Sequence, residues 1–313
     1  MNQAARIVST LTLALVLAAC GGREATTTTD GSAPAADSKP LTIKGSDTMV
    51  ILGQRLAEQY MVKSPGVVVQ VNGGGSGTGI AALINGTVDL AQSSRPMKDD
   101  EKQKAAQARG SEIVEQAVAL DALAVFVNSA SPVQQLTMAQ VKDVFQGKVT
   151  NWNQIGGPDA TIVLYGRENS SGTYDYFREH VLNKEDFTPR VQTLQGTAAV
   201  INAVGRDNNG IGYGGIAYAK DVRPVAISAT GAAVAPSEAT VADGTYPLSR
   251  KLFFYYPQNA PERVTSFVQW SLTPEAQALV TQVGYFPLNT TNGAPTSDTT
   301  GSTPAATATT SVQ

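Results

Sequence analysis

The chain has one cysteine, one histidine and two tryptophans in 313 residues. A single cysteine cannot form a disulfide within the chain, so the fold depends on its hydrophobic core. The histidine, His180, falls in a helical stretch where a solvated or packed role is expected, and no second histidine accompanies it to build a zinc site. The chain is mildly acidic, with 23 basic and 26 acidic side chains and no basic run. We therefore expect no metal, no cofactor and no nucleic-acid partner.

The N-terminus has the layout of a secretory signal. Residues 1–19 carry one basic side chain, Arg6, and then an apolar run at 11–17 that is too short to span a bilayer. The sequence Leu-Ala-Ala-Cys-Gly that follows resembles the bacterial lipoprotein box, in which the cysteine, here Cys20, is acylated. We predict a lipoprotein signal peptide at 1–19 and a chain anchored by lipid on the periplasmic or extracellular face of a bacterial membrane. The alternative is an ordinary signal peptide with an incidental cysteine.

Bulky apolar residues are scarce in two further segments. Residues 20–40 and 290–313 consist mainly of threonine, alanine, serine, glycine and proline. Such segments cannot bury enough apolar surface to offset the entropy lost on folding. We predict a flexible linker at 20–40 and a disordered tail at 290–313.

The stretch between these segments predicts an α/β protein with largely parallel sheets, because short strand-like runs alternate with helix-like ones. Met49, Leu52, Leu56 and Tyr60 recur at helical spacing, and Pro65 follows as a stop signal. The predicted strands lie at 41–44, 67–71, 88–92, 123–128, 161–165, 211–213 and 252–256.

Two long β-rich segments, 118–128 and 246–256, are predicted to cross between two lobes. Lobe I would then comprise 41–120 together with 246–289, and lobe II would comprise 121–245. A ligand cleft belongs where such lobes meet, outside the carboxyl ends of the strands.

Four segments share one pattern, in which a strand ends in small hydroxyl or glycine residues and a helix begins. They are 44–48, 73–79, 93–96 and 167–173. Each offers a capping hydroxyl and free backbone N–H groups, which attract anions at a helix N-terminus. The loop at 73–79 lacks both the Gly-Lys-Ser/Thr ending of a nucleotide-binding phosphate loop and the serine elbow of hydrolases. Several such segments converging would make a dry anion cage.

Taken together, these segments make the chain resemble the PstS-type phosphate-binding proteins of phosphate ABC transporters. The resemblance covers 41–288, with agreement in order and spacing at 43–49, 73–79, 86–95, 149–153, 166–173, 210–213 and 246–250. It implies a type II periplasmic-binding-protein fold, with two α/β lobes joined by crossing strands around the ligand cleft. It also implies capture of inorganic phosphate for an ABC permease. We expect the protein to be a monomer and not an enzyme.

The resemblance also implies which residues hold the anion. By motif position, lobe I would contact the anion through hydroxyls and through backbone N–H groups near Asp47. A second group of residues would close on the anion from lobe II. A guanidinium fork, here Arg167, suits a tetrahedral oxyanion because two N–H groups meet two oxygens. The implied phosphate-binding residues are Ser46, Asp47, Thr48, Ser76, Ser94, Arg95, Arg167, Ser171, Gly172 and Thr173.

One departure from the family affects selectivity. Many members have an aspartate in the segment that here reads Ser93-Ser94-Arg95, where it accepts the proton of bound phosphate. Either Asp47 takes that role or Arg95 makes a second cationic group in a cleft of looser selectivity. A further alternative is that Arg95 lies at the surface, at the start of the following helix. Asp47, for its part, could be only a carboxylate that stabilises its helix.

Three other functions remain alternatives at this point. The first is a binding protein for another oxyanion such as sulfate, molybdate or arsenate. The second is a phosphatase, against which the sequence offers no metal cluster, no serine elbow and no base beside a nucleophile. The third is a surface lipoprotein with a sensing or adhesive role, for which the threonine-rich tail is the only hint.

Overall fold

The structure is a computed structural model that describes residues 39–288. The predicted signal peptide, Cys20, nearly all of the predicted linker and the predicted tail lie outside the described residues. Within 39–288, no helix is both long enough and apolar enough to cross a membrane.

Strands and helices alternate through the described residues, as expected for an α/β protein. The strands are β1 (Leu41–Gly45), β2 (Val69–Asn72), β3 (Leu90–Ser93), β4 (Ile113–Asn128), β5 (Gln135–Thr137), β6 (Val163–Arg167), β7 (Gln192–Leu194), β8 (Gly210–Gly215), β9 (Val222–Pro224), β10 (Ala226–Ser228) and β11 (Ser249–Pro257). The helices are α1 (Val50–Lys63), α2 (Ser76–Ile84), α3 (Asp99–Arg109), α4 (Met138–Phe145), α5 (Gly172–His180), α6 (Thr197–Arg206), α7 (Glu238–Ala242), α8 (Glu262–Ser271) and α9 (Pro274–Val283).

The predicted helix between the first two strands is confirmed as α1. It buries Leu52, Leu56 and Tyr60 along one face and ends at Lys63, just before Pro65. Burying each such side chain contributes about 1.5–3 kcal/mol, so tertiary packing of this face holds the helix in place. Every predicted strand also overlaps an observed one.

One mixed sheet runs through the described residues in the order β2-β1-β3-β11-β4-β8-β6-β7, with β9 also paired to β4. β1 pairs in parallel with both β2 and β3, and β6 pairs in parallel with β7 and β8. β11 runs antiparallel to β3 and β4, and β4 runs antiparallel to β8. The carboxyl ends of β1, β2 and β3 therefore lie at one edge, where loops can form a site.

The two largest of the four hydrophobic cores in residues 39–288 involve different parts of β4. In β4, Val118 and Ala119 belong to a core that includes α1, α8 and α9, whereas Ala122 and Leu123 belong to a second core that includes α4 and α5. Leu252 of β11 packs in the first core. The protein thus has two α/β lobes joined by β4 and β11, as the crossing segments predicted.

A buried ion pair links the two crossing strands. Asp121 and Arg250 are register partners, and Arg250 places Nη2 2.7 Å from Asp121 Oδ2 with both side chains at most 2% exposed. Asp121 Oδ1 also accepts the Ile216 N–H. Burial raises the pKa of Asp121, and the neighbouring guanidinium opposes that shift. This pair fixes the two strands to each other at the level where the lobes meet.

Candidate anion-binding site

Six buried hydroxyl groups meet between the two lobes, and we call them the hydroxyl cluster. They follow the carboxyl ends of strands, or begin the helices after them, because the parallel strands of each lobe end at the cleft. Each is at most 2% exposed. The members are Ser46, Thr48, Ser76 and Ser94 from lobe I, and Thr173 and Thr197 from lobe II.

Hydrogen bonds join the hydroxyl cluster across the lobes. Ser46 Oγ donates to Ser94 Oγ at 2.8 Å, and the Ser94 N–H donates to Ser76 Oγ at 3.1 Å. Thr48 Oγ1 lies 2.8 Å from Thr173 Oγ1, and Ser94 Oγ lies 3.4 Å from the same atom. Because a hydroxyl can donate or accept, the cluster can turn its protons towards an anion without breaking the fold.

Three helices point their N-termini at the hydroxyl cluster. α2 begins at Ser76, α5 at Gly172 and α6 at Thr197. The first N–H groups of a helix have no partner within it and carry partial positive charge. A Cβ at Gly172 would lie 2.3 Å from Ser76 Oγ, so glycine is needed for α5 to approach this closely. Ser171 caps α5 by accepting the Tyr174 N–H at 3.2 Å.

Arg167, the last residue of β6, brings the cationic group. It is 2% exposed, and its Nε and Nη2 donate to Glu168 at 3.0 and 2.8 Å. Nη2 also donates to Asp47 Oδ2 at 3.0 Å and Nη1 donates to Thr197 Oγ1 at 2.7 Å. Asp47 Oδ1 accepts the Gly74 N–H at 2.8 Å. Burial acts to raise the pKa of Glu168, but the bonds from Arg167 outweigh it and the pKa is lowered.

These contacts decide how the site can hold an anion. Arg167 is balanced by two carboxylates, those of Asp47 and Glu168, so it brings no excess positive charge. Hydroxyl and backbone N–H donors must therefore do much of the binding. No group of three or more His, Cys, Asp or Glu side chains in residues 39–288 is placed to hold a metal ion.

Arg95 differs from its predicted placement. Its Nη1 and Nη2 donate to the two carboxylate oxygens of Glu101 at 2.7 and 2.8 Å, and its Nε lies 2.9 Å from Asp175 Oδ2. Two carboxylates thus draw the guanidinium to themselves rather than to the hydroxyl cluster. At 6% exposure, the surface alternative is also wrong. The other nine predicted residues lie at the hydroxyl cluster or at the segments that carry it.

Three residues beside the site were missed from the sequence. Thr197 follows Gly196 and begins α6, which is the same strand, glycine, hydroxyl and helix pattern that marked the other segments. Arg250 Nη1 donates to the Ser94 carbonyl at 3.1 Å, and the motif at 246–250 could have indicated it. Tyr218 donates its hydroxyl to the Asp47 carbonyl at 2.7 Å, and no sequence signal pointed to that contact.

Known proteins share this sequence and fold. The PBP superfamily domain matches residues 25–275. Over 264 residues the chain is 38% identical to the phosphate-binding protein PstS of Pseudomonas aeruginosa, covering 78% of this chain and 81% of that protein. The chain belongs to the PstS-type phosphate-binding protein family.

Solved structures of the PstS type agree with this fold. A phosphate ABC transporter substrate-binding protein from Clostridium perfringens, solved with bound phosphate, has a TM-score of 0.74 and 30% identity, covering 80% of this chain and 100% of that one. An ABC-type phosphate transport receptor from Vibrio cholerae has a TM-score of 0.65 and 29% identity, covering 79% and 100%. The predicted type II periplasmic-binding-protein fold is confirmed.

Proposed function

We propose that this PstS-type protein captures inorganic phosphate in the cleft between its lobes and delivers it to the permease of an ABC importer. The observation that carries the proposal is the hydroxyl cluster, which lies buried beside Arg167 at three helix N-termini. Uncharged donors of this kind can replace the water around a small oxyanion. The named phosphate-binding relatives support the same ligand.

The two lobes supply different donors in this proposal. Lobe I offers the hydroxyls of Ser46, Ser76 and Ser94 with Thr48, and lobe II offers Arg167, the first N–H groups of α5 and the Thr173 hydroxyl. Ser171 and Gly172 shape the start of α5 so that its N–H groups face the anion. Asp47 aligns Arg167 and is also the carboxylate available to accept a hydrogen bond from the protonated oxygen of phosphate. Sulfate carries no proton at neutral pH, so it cannot make this bond and is repelled by the carboxylate.

Closure of the two lobes is the proposed route by which water is excluded. We assign lobe I to 41–120 and 246–289 and lobe II to 121–245. The two largest cores support this division except just before β11, where Tyr246 and Leu248 pack with lobe II. Several contacts cross between these parts beyond the hydroxyl cluster, among them the pair of Arg167 and Asp47 and the two that follow. The Gly77 N–H donates to the Ser170 carbonyl at 2.9 Å, and Arg95 of lobe I meets Asp175 of lobe II. Arg95 thus acts as a latch for the closed form rather than as a phosphate ligand.

Tethering completes the proposal. Acylation of Cys20 would hold the chain at the membrane surface, and a flexible segment at 20–40 would let a monomeric domain search for its permease. A bound anion would then be released where the importer needs it.

Calorimetric titration of the full chain, purified free of phosphate, tests this function. We expect tight binding of phosphate and no hydrolysis of p-nitrophenyl phosphate by the same preparation. Arg167→Ala should weaken binding by about 2–5 kcal/mol, more than tenfold in Kd. Arg178→Ala is the matched control, because Arg178 is 38% exposed in its pair with Asp186 in the same lobe. Unchanged affinity in Arg167→Ala would place that residue outside the site, and no binding by the wild type would refute phosphate capture.

A further inference from the structure

Thr197 stands where the guanidinium of Arg167 meets the hydroxyl cluster. It is the first residue of α6, directly after Gly196, and is 1% exposed. Its hydroxyl accepts the Arg167 Nη1–H at 2.7 Å, the shortest of the four Arg167 side-chain contacts described above. Three of the other four N–H groups of that guanidinium are directed to Glu168 and Asp47, which leaves the second N–H of Nη1.

The Thr197 hydroxyl has its own proton to donate. Since an arginine can only donate, Thr197 Oγ1 must be the acceptor in that bond. Its own O–H is then available for a second partner, and Thr48 Oγ1 lies within reach at 3.4 Å. Accepting a bond from a charged donor polarises the hydroxyl and makes it a stronger donor.

The methyl group of Thr197 sets the direction of this hydroxyl. A Cβ at Gly214 of β8 would lie 2.9 Å from Thr197 Cγ2, so the methyl occupies the space that the glycine leaves open. A β-branched side chain has few χ1 rotamers. With the methyl seated against β8, the hydroxyl is held towards Arg167 and the hydroxyl cluster.

We infer that Thr197 is a further oxyanion-binding residue of this site, whose hydroxyl aligns the Arg167 guanidinium and donates its own proton to the bound tetrahedral oxyanion. This inference rests on the proposed function. It adds a second helix of lobe II to the anion cage, so that α5 and α6 both close on the ligand.

Two variants of the full chain separate the hydroxyl from the methyl. Thr197→Val keeps the branched shape and removes the hydroxyl, whereas Thr197→Ser keeps the hydroxyl. A matched control is Thr193→Val, which makes the same change at an exposed position of β7. For each we would measure the Kd for inorganic phosphate by calorimetry and the Tm of the phosphate-free protein.

We expect Thr197→Val to raise the Kd about ten- to a hundredfold, the usual effect of losing a hydrogen bond to a charged group. Thr197→Ser should stay within about threefold of wild type, and Thr193→Val should match wild type. The inference is overturned if Thr197→Val binds phosphate as tightly as wild type and only its Tm falls. It is also overturned if Thr197→Ser and Thr197→Val lose the same affinity for phosphate. A wild-type chain that does not bind phosphate at all refutes the proposed function itself, which distinguishes the two failures.

Discussion

The contact between Arg95 and Asp175 makes a quantitative prediction about closure. Asp175 lies in the first turn of α5, and Arg95 follows β3 in the other lobe. Their atoms are 2.9 Å apart, with side chains 7% and 27% exposed. Asp175→Asn removes the charge from this contact and leaves the bond pair between Arg95 and Glu101 intact.

The size of the effect follows from the environment of the pair. At an effective dielectric constant of about 20 the direct attraction would be about 6 kcal/mol. Desolvation offsets most of it, and Glu101 already compensates Arg95, so about 1 kcal/mol should remain for a partly exposed pair. That corresponds to about a fivefold shift of the closing equilibrium towards the open form. The Kd for phosphate should rise by the same factor if the open form predominates without ligand.

Calorimetry at two salt concentrations provides the assay. The fivefold rise should appear at low salt and be smaller at about 1 M salt, where the screening length is about 3 Å, although burial of the pair limits the reduction. Asp186→Asn is the control, since it changes the net charge equally at a side chain that is 86% exposed and paired within the same lobe. A loss of thermal stability in Asp175→Asn is expected from the helix dipole in either form. If the two variants bind phosphate equally at low salt, the latch does not exist.

Three further changes have defined outcomes. Asp47→Asn removes the charge that repels a fully deprotonated oxyanion, so sulfate should compete with phosphate better than in wild type; unchanged exclusion of sulfate in a competition titration would leave Asp47 a structural role. Asp121→Ala leaves the Arg250 guanidinium buried without its carboxylate and should cost about 3–5 kcal/mol in urea unfolding, whereas a loss below about 1 kcal/mol contradicts the importance of this pair. Cys20→Ser should move the chain from the membrane to the soluble fraction, and an undiminished membrane fraction would refute lipid anchoring.

Much of the fold could be predicted because its main strands carry strong local patterns. β4 and β11 stood out as long β-rich segments, and their role as crossing strands follows from their length. The strands β5, β7, β9 and β10 went unpredicted because each has three residues, too few to show a period. Their position depends on neighbours in the sheet rather than on their own sequence.

The site was predicted in part for a similar reason. Hydroxyl groups at strand–helix junctions can be recognised locally, and those junctions converge here. The partners of Arg95 could not be recognised in this way, because Asp175 comes from another helix 80 positions along the chain and meets it only when the lobes pack. Thr197 follows the same local pattern, since it comes directly after Gly196 at the start of α6.

The first lobe is assembled from two distant parts of the chain, which has a consequence for the order of folding. β11 completes the sheet beside β3, and Val264 and Val280 of α8 and α9 pack in the same core as Leu52 of α1. A chain exported N-terminus first therefore delivers β1, β2 and β3 long before their remaining partners arrive. The second core draws on the continuous stretch between β4 and β11 and can form earlier. Until β11 emerges, β3 and β4 each have one unpaired edge, and such edges need protection from aggregation.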